Sequence, residues 1–141
     1  MPTLTIDDIR AARERIRDGL PPSPCPESIA LSRLTGMRIV CKLDSLQRTG
    51  SFKERGARNA LLQLTPEQRV RGVIAASAGN HALGLAYHGG QLGIPTTVVM
   101  PGYAPLIKVG TCRALARRCC KPASRFKRRF RRRKRWPPMK V

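Results

Sequence analysis

Short apolar runs alternate with helix-like segments along the first 115 residues, and this alternation constrains the fold more than any other feature. Val73-Ile74-Ala75-Ala76 is a continuous apolar run, and residues 96–100 are rich in β-branched side chains, as expected for strands of a parallel sheet. Residues 52–64, 80–92 and 104–115 have the spacing of helices. Strand and helix in this order predict an α/β fold, a parallel sheet with flanking helices.

Local signals predict further elements. Thr5 is followed by two aspartates that suit the first turn of a helix, which we expect to run to about residue 18. Prolines at 21, 22, 24 and 26 impose an extended linker. Arg38–Leu43 alternates and is predicted to be a strand. Thr65-Pro66-Glu67-Gln68 has the residues of a helix start with a capping box.

The basic charge of the chain is distributed very unevenly. The 141 residues carry a net charge of +20, but residues 1–112 account for only +6, and residues 113–141 hold 14 basic and no acidic side chains. No apolar run is long enough for a membrane-spanning helix, and the amino terminus lacks the basic-then-apolar pattern of a secretory signal. We therefore treat residues 1–115 as the folded body and residues 116–141 as a disordered basic tail.

The first loop whose side chains could take part in a reaction is Thr49-Gly50-Ser51-Phe52-Lys53-Glu54-Arg55-Gly56. It places one lysine in the first turn of a predicted helix, where the positive end of the helix dipole favours the neutral, nucleophilic form of an amine. Such a lysine can form a Schiff base with a carbonyl compound. The alternative is that Lys53 is an ordinary solvated surface residue.

The second loop, Ser77-Ala78-Gly79-Asn80-His81, joins a predicted strand to a predicted helix. Backbone N–H groups at a helix start, together with a hydroxyl, an amide and an imidazole, suit a carboxylate or phosphate. The alternative is that Ser77 and Asn80 only cap the helix and that His81 is a packed histidine.

Taken together, the segments GSFKERGARNALLQL and SAGNHALGLAYHGGQLGIPTTVVMP resemble the pyridoxal-phosphate enzymes of the tryptophan synthase β-subunit fold (fold type II), and within them the threonine/serine dehydratases, or threonine ammonia-lyases. The resemblance runs from about Leu4 to Leu115. It implies pyridoxal 5'-phosphate as cofactor and L-threonine or L-serine as substrate. It also implies loss of the α-proton and the β-hydroxyl, and then hydrolysis to a 2-keto acid and ammonia, as in isoleucine biosynthesis. Family members oligomerise.

The resemblance also implies roles for individual residues. Lys53 matches the lysine that binds the cofactor covalently and then acts as the base. Phe52 matches the residue beside the pyridine ring, and Asn80 matches the amide that hydrogen-bonds the phenolic oxygen. The loop that binds the substrate carboxylate is matched by Ser77, Ala78, Gly79 and His81.

Two other branches of the same enzymes are disfavoured. Relatives that racemise serine usually have a hydroxyl side chain at the position of Ala78, and an alanine cannot carry a proton, so Ala78 favours elimination over racemisation. A cysteine-synthase-like β-replacement enzyme is disfavoured, because that branch usually departs from GSFKERGARNAL after the lysine. The Gly-rich loop that holds the cofactor phosphate in the family is absent from the sequence, so we expect little or no activity from this chain.

The sequence of the basic tail is better explained by a shifted reading frame than by selection for a basic segment. Permitted codons for residues 115–129, read from the third base, encode GAEVLQAGESFQEA, which continues the dehydratase-like pattern with a strand and an acidic helix. We therefore hypothesise a one-base frameshift near Leu115.

A small nucleic-acid-binding protein that acts through this tail is the alternative function, because Arg and Lys interleaved with aromatic residues suit phosphates and stacked bases. We expect no nucleic-acid partner if the frameshift hypothesis holds. The cysteines have neither disulfide nor zinc spacing, and we expect no metal. A reducing cytoplasm is the predicted compartment.

Overall fold

The computed structural model describes residues 3–115 and 118–120. In chain order, the described α-helices and strands are α1 (Ile6–Ile16), α2 (Ile29–Thr35), α3 (Lys53–Leu62), α4 (Pro66–Arg71), β1 (Val73–Ala76), α5 (Asn80–Gln91), β2 (Thr96–Val99), α6 (Leu106–Leu115) and β3 (Arg118–Cys120); Arg17–Gly19 and Asp44–Leu46 are short 3-10 helices. The strands form one parallel sheet in the order β1-β2-β3. The predicted α/β class, with a parallel sheet and flanking helices, is confirmed.

Helix α5 is the centre of the structure, with α3 and α6 packed against it. One hydrophobic cluster joins it to β2 and α6, and a second joins it to α3 and β1. The fully buried members include Leu61, Ala82, Ala86 and Val98. The body therefore builds its core around one helix that begins at the carboxyl edge of the sheet.

The predicted helix starts at Thr5 and Thr65 are confirmed. Each threonine side chain accepts the amide of the residue three positions later, and that residue's side chain accepts the threonine amide in return. Both capping boxes satisfy amides that have no acceptor inside the helix. Helix α2 was not predicted from the sequence, although Ser28 caps its start and Gly36 ends it with a φ of 68°.

The predicted strand over residues 38–43 is wrong, because this segment forms only an isolated antiparallel bridge between Glu27 and Val40. The opposite chain contains prolines. Cys41 donates its amide to the Pro26 carbonyl oxygen at 2.9 Å. Proline has no N–H to donate in return, so a regular ladder cannot form.

Strand β1 was expected to be buried, and it is covered on one face only. Ile74 and Ala76 are exposed, whereas Val73 and Ala75 pack against the second hydrophobic cluster. The helices described here thus cover one side of the sheet, and the other side is open within the described residues.

The tail also differs from expectation where it is described. Residues 118–120 pair in parallel with β2, although the sequence predicts no regular structure after residue 115. Strand pairing uses backbone groups, so a sheet edge can bind a segment without a strand-like side-chain pattern. The rest of the predicted disordered tail lies outside the described residues.

Candidate functional site

The loop after β1 lies where parallel sheets usually bind ligands, beyond the carboxyl ends of the strands. Ser77 continues the sheet, because its amide donates to the Val99 carbonyl oxygen at 3.0 Å. The chain then bends and enters α5 with Gly79 as the N-cap, and no side chain caps the helix. The amides of Asn80 and His81, the first two residues of α5, have no carbonyl a turn earlier in the helix and are suited to an anion, whereas the Ala82 amide already donates to the Gly79 carbonyl oxygen at 3.0 Å.

The capping alternative for this loop does not match the structure. The Ser77 hydroxyl accepts the Gly79 amide at 3.2 Å, a bond within the loop and not to the helix. Asn80 is itself the first helical residue, and His81 is exposed, so it is not a packed histidine. Ala78 is half-buried and packs against the first hydrophobic cluster.

Lys53 is the first residue of α3 and is exposed. Its Nζ lies 4.7 Å from the centroid of the Phe52 ring, a cation–π contact, and Phe52 itself is 55% exposed. The turn before them contains Gly50, whose φ of 74° suits glycine. By its exposure alone, Lys53 resembles an ordinary surface lysine. It differs from one because the start of α3 packs beside the helix that Asn80 begins.

The start of α3, at Lys53 and Glu54, approaches α5 closely at Gly84. A Cβ added at Gly84 would lie 3.3 Å from the Glu54 amide nitrogen and 3.4 Å from the Lys53 carbonyl carbon. Gly84 follows Asn80 by four residues, so the two lie on the same face of α5, one turn apart. The start of α3 therefore runs beside the first turns of α5, and Lys53 and Asn80 belong to one region.

Two groups of this region were not identified in the sequence analysis. Lys108, in α6, donates from Nζ to the Asn80 Oδ1 at 3.3 Å. Glu54 and His88 are both completely buried and lie 3.3 Å apart, Oε2 to Nε2. Lys108 has a sequence signal, because it stands near the start of the helix after the next strand, as Asn80 does after β1.

These residues fit one end of pyridoxal phosphate, the cofactor implied by the resemblance. An exposed amine, an exposed aromatic ring beside it and an amide lie in one region, and an uncapped helix start nearby suits a carboxylate. A Gly-rich phosphate loop is not found in the described part of the chain. The residues therefore fit the end of the cofactor that carries the carbonyl group.

Residues 3–115 and 118–120 offer neither a metal site nor a membrane span. They contain no cluster of three His, Cys, Asp or Glu residues that could hold a metal ion. In the same part of the chain, none of the helices combines the length and the hydropathy needed to cross a membrane.

Known proteins with similar sequences or structures include an ammonia-lyase, a racemase and a deaminase. The L-threonine ammonia-lyase of Thermotoga maritima is 46% identical over 112 residues, covering 79% of this chain and 28% of that protein. The serine racemase of Dictyostelium discoideum has a TM-score of 0.82 at 32% identity, covering 93% of this chain and 43% of its own. The processed form of threonine deaminase isoform 2 from Solanum lycopersicum has a TM-score of 0.73 at 34% identity, with 87% and 38% covered.

Fold and site together define an α/β scaffold in which an amide begins the helix at the carboxyl edge of a parallel sheet and a lysine begins the helix packed beside it. The family described as pyridoxal-phosphate dependent enzyme matches residues 16–135, and the chain belongs to it. This match extends past Leu115, where we expected the resemblance to end. The chain spans less than a third of the length of the Thermotoga relative.

Proposed function

We propose that this chain carries part of a pyridoxal-phosphate site of the threonine/serine dehydratase type. This part contains Lys53 and the residues that face the carbonyl-bearing end of the cofactor. The observation that carries the proposal is the close packing of α3 on α5 at Gly84, which brings the turn containing Lys53 beside the helix that Asn80 begins. The 46% identity with a threonine ammonia-lyase supports the substrate class, a β-hydroxy amino acid such as L-threonine or L-serine.

Each residue has a separate task in this proposal. Lys53 holds the cofactor covalently through Nζ and afterwards takes the α-proton of the substrate on the same atom. Phe52 offers its exposed ring as a flat surface beside the pyridine. The bound cofactor supplies the electron sink for the reaction.

Asn80 is oriented for donation by its contact with Lys108. The Lys108 ammonium can only donate, so the amide atom facing it is the carbonyl oxygen, and the Asn80 NH₂ points elsewhere. That leaves two N–H donors for the phenolic oxygen of the cofactor.

The loop of Ser77, Ala78, Gly79 and His81 binds the substrate carboxylate in this proposal. The uncapped start of α5 supports this role, because its N–H groups and the helix dipole both favour an anion. At Ala78 only a methyl group is available, so no proton can be delivered from there. We accordingly propose elimination and not racemisation, and L-to-D serine conversion by an intact relative with alanine at this position would contradict it.

The lysine assignment is tested by incubating the chain with pyridoxal phosphate, reducing with borohydride and mapping the labelled peptides by mass spectrometry. We expect the label at Lys53, and its loss in Lys53→Ala but not in the control Lys42→Ala, which removes another exposed lysine. Labelling spread evenly over the lysines would overturn the assignment. We expect little turnover of threonine from these 141 residues alone, because a Gly-rich phosphate loop is not found in residues 3–115 and 118–120.

We also propose that residues 116–141 are read in a shifted frame. The change from +6 to +14 near residue 113 supports this, as does β3, which lies where the alternative frame also predicts a strand. The nucleotide sequence decides it: the alternative frame should stay open and encode a Gly-rich loop. A cytoplasmic location remains our proposal, supported by the free thiols of Cys25 and Cys41.

A further inference from the structure

The residue after Lys53 is a carboxylate in the interior of the protein. Glu54 is 0% exposed, although burying a charged group is costly unless hydrogen bonds compensate. Two donors reach it: the backbone amide of Thr49 donates to Oε1, and the ring of His88 lies 3.3 Å from Oε2. Glu54 thus connects the turn before Lys53 with helix α5.

His88 meets Glu54 as a neutral donor. Burial lowers the pKa of His88, and Arg58 and Arg48 lower it further, against the opposing effect of Glu54. Nδ1 of His88 is buried and has no hydrogen-bond partner in the described part of the chain, so a second ring proton would have no acceptor. The neutral ring therefore donates from Nε2 to the carboxylate.

His88 lies on the same face of α5 as Asn80, a residue of the candidate site. Asn80, Gly84 and His88 follow one another at intervals of four residues, so they form one stripe along α5. Gly84 lets the backbone of Lys53 and Glu54 come close, and His88 bonds the Glu54 side chain one turn further on. The stripe fixes where α3 begins relative to Asn80.

We propose that Glu54 and His88 are positioning residues, which hold the turn before Lys53 against α5 so that Lys53 and Asn80 serve the same ligand. The inference rests on the proposed function for the role of Lys53, but the hydrogen-bonded connection itself can be measured without any cofactor.

The direct test is hydrogen exchange of individual backbone amides in the 141-residue chain. No contact joins His88 to Thr49 directly, so a change confined to the Thr49 amide in a His88 variant is expected to pass through Glu54. We expect His88→Leu to speed exchange at Thr49 about tenfold, the factor expected when a hydrogen bond to a charged group is lost. His88→Gln, which keeps a donor for the carboxylate, should restore most of the protection.

The Glu54 side of the pair has its own conservative variant. Glu54→Gln keeps an acceptor for the Thr49 amide and should stay close to the wild type, whereas Glu54→Ala should lose protection there. Leu61→Ala is the matched control, because it removes a buried side chain from the same helix without touching the pair. It should speed exchange broadly and not selectively at Thr49.

Each result decides the inference. Selective loss of protection at Thr49 in His88→Leu, with rescue by His88→Gln, supports it, and exchange that matches the Leu61→Ala pattern overturns it. Labelling by pyridoxal phosphate gives a second readout: the variants that free the turn should label Lys53 several-fold more slowly. A wild-type chain that is not labelled at Lys53 contradicts the proposed function, and the exchange result still decides the positioning role.

Discussion

Helices α1 and α5 are nearly equal in length but differ completely in how they are held. α5 has 12 residues and buries six of them, while α1 has 11 residues and buries none. α1 is held by its capping box and by polar contacts such as that of the exposed Arg15 with the half-buried Asn59. α5 is held by hydrophobic packing on both sides.

This difference follows from composition. Small residues such as Ala82, Gly84 and Gly89 let α5 approach its neighbours, and charged residues occupy most of α1. Exposed polar contacts contribute little to stability, whereas buried apolar surface contributes most of it. The two parts of the molecule should therefore respond very differently to substitution.

The largest contrast is expected from apolar truncations. Leu61, 1% exposed against α5, should cost about 2–4 kcal/mol of unfolding free energy when changed to alanine, through lost burial and a cavity. Ile9 of α1 is 53% exposed, and its change to alanine should cost less than about 0.5 kcal/mol. Urea unfolding of both variants tests this, and similar midpoints would mean that α1 is part of the core.

Two glycine substitutions test the same comparison, with smaller expected losses of stability. Gly72, before β1, has a φ of 77° and a ψ of −175°, and a Cβ there would overlap the Pro95 carbonyl oxygen. Gly36, after α2, has a φ of 68° with open space around it. Gly72→Ala should cost about 2–3 kcal/mol, because only glycine favours that backbone region and because the added Cβ would overlap Pro95. Gly36→Ala should cost about 1 kcal/mol, from its left-handed conformation alone.

Both variants are measured by the same urea titration. Equal losses would show that the contact with Pro95 relaxes and that only the positive φ matters. A larger loss at Gly36 would contradict the distinction between the packed core around α5 and the loosely held amino-terminal part, residues 3–52.

The sequence was informative where structure is local. Nearby residues predict the helix caps at Thr5 and Thr65 and the strands at 73–76 and 96–99. They also predict the loops around Lys53 and Asn80. It failed at residues 38–43, because alternation alone does not show that the opposite segment contains prolines. The site roles of Lys53 and Asn80 stay predictions.

Contacts between distant residues could not be predicted in this way. Glu54 and His88 are 34 positions apart, and each alone suggests a surface charge and an ordinary histidine. Lys108 reaches Asn80 only because α6 packs beside α5. Such pairs depend on how helices pack, which periodicity within one segment does not specify.

The smallest changes in stability are expected from changes in pH. The core around α5 and the amino-terminal part should lose stability in different pH ranges. His88 lies in the packed core around α5, and its pKa is lowered from 6.5 by burial. The unfolded chain therefore binds a proton that the folded chain excludes, and stability should fall as pH drops below about 6.5. The charged groups facing His88 are Glu54, Arg58 and Arg48.

Asp44 lies in the amino-terminal part and titrates in a lower range. Its hydrogen bond with Arg55, and then that with Ser23, lower its pKa to about 2. Its contribution is complete above about pH 4, the unfolded value, and is lost as pH falls through about 2. Urea midpoints measured across pH should show two separate declines. His88→Gln should remove the upper decline and Asp44→Asn the lower one, and a single decline that both variants leave intact would contradict both assignments.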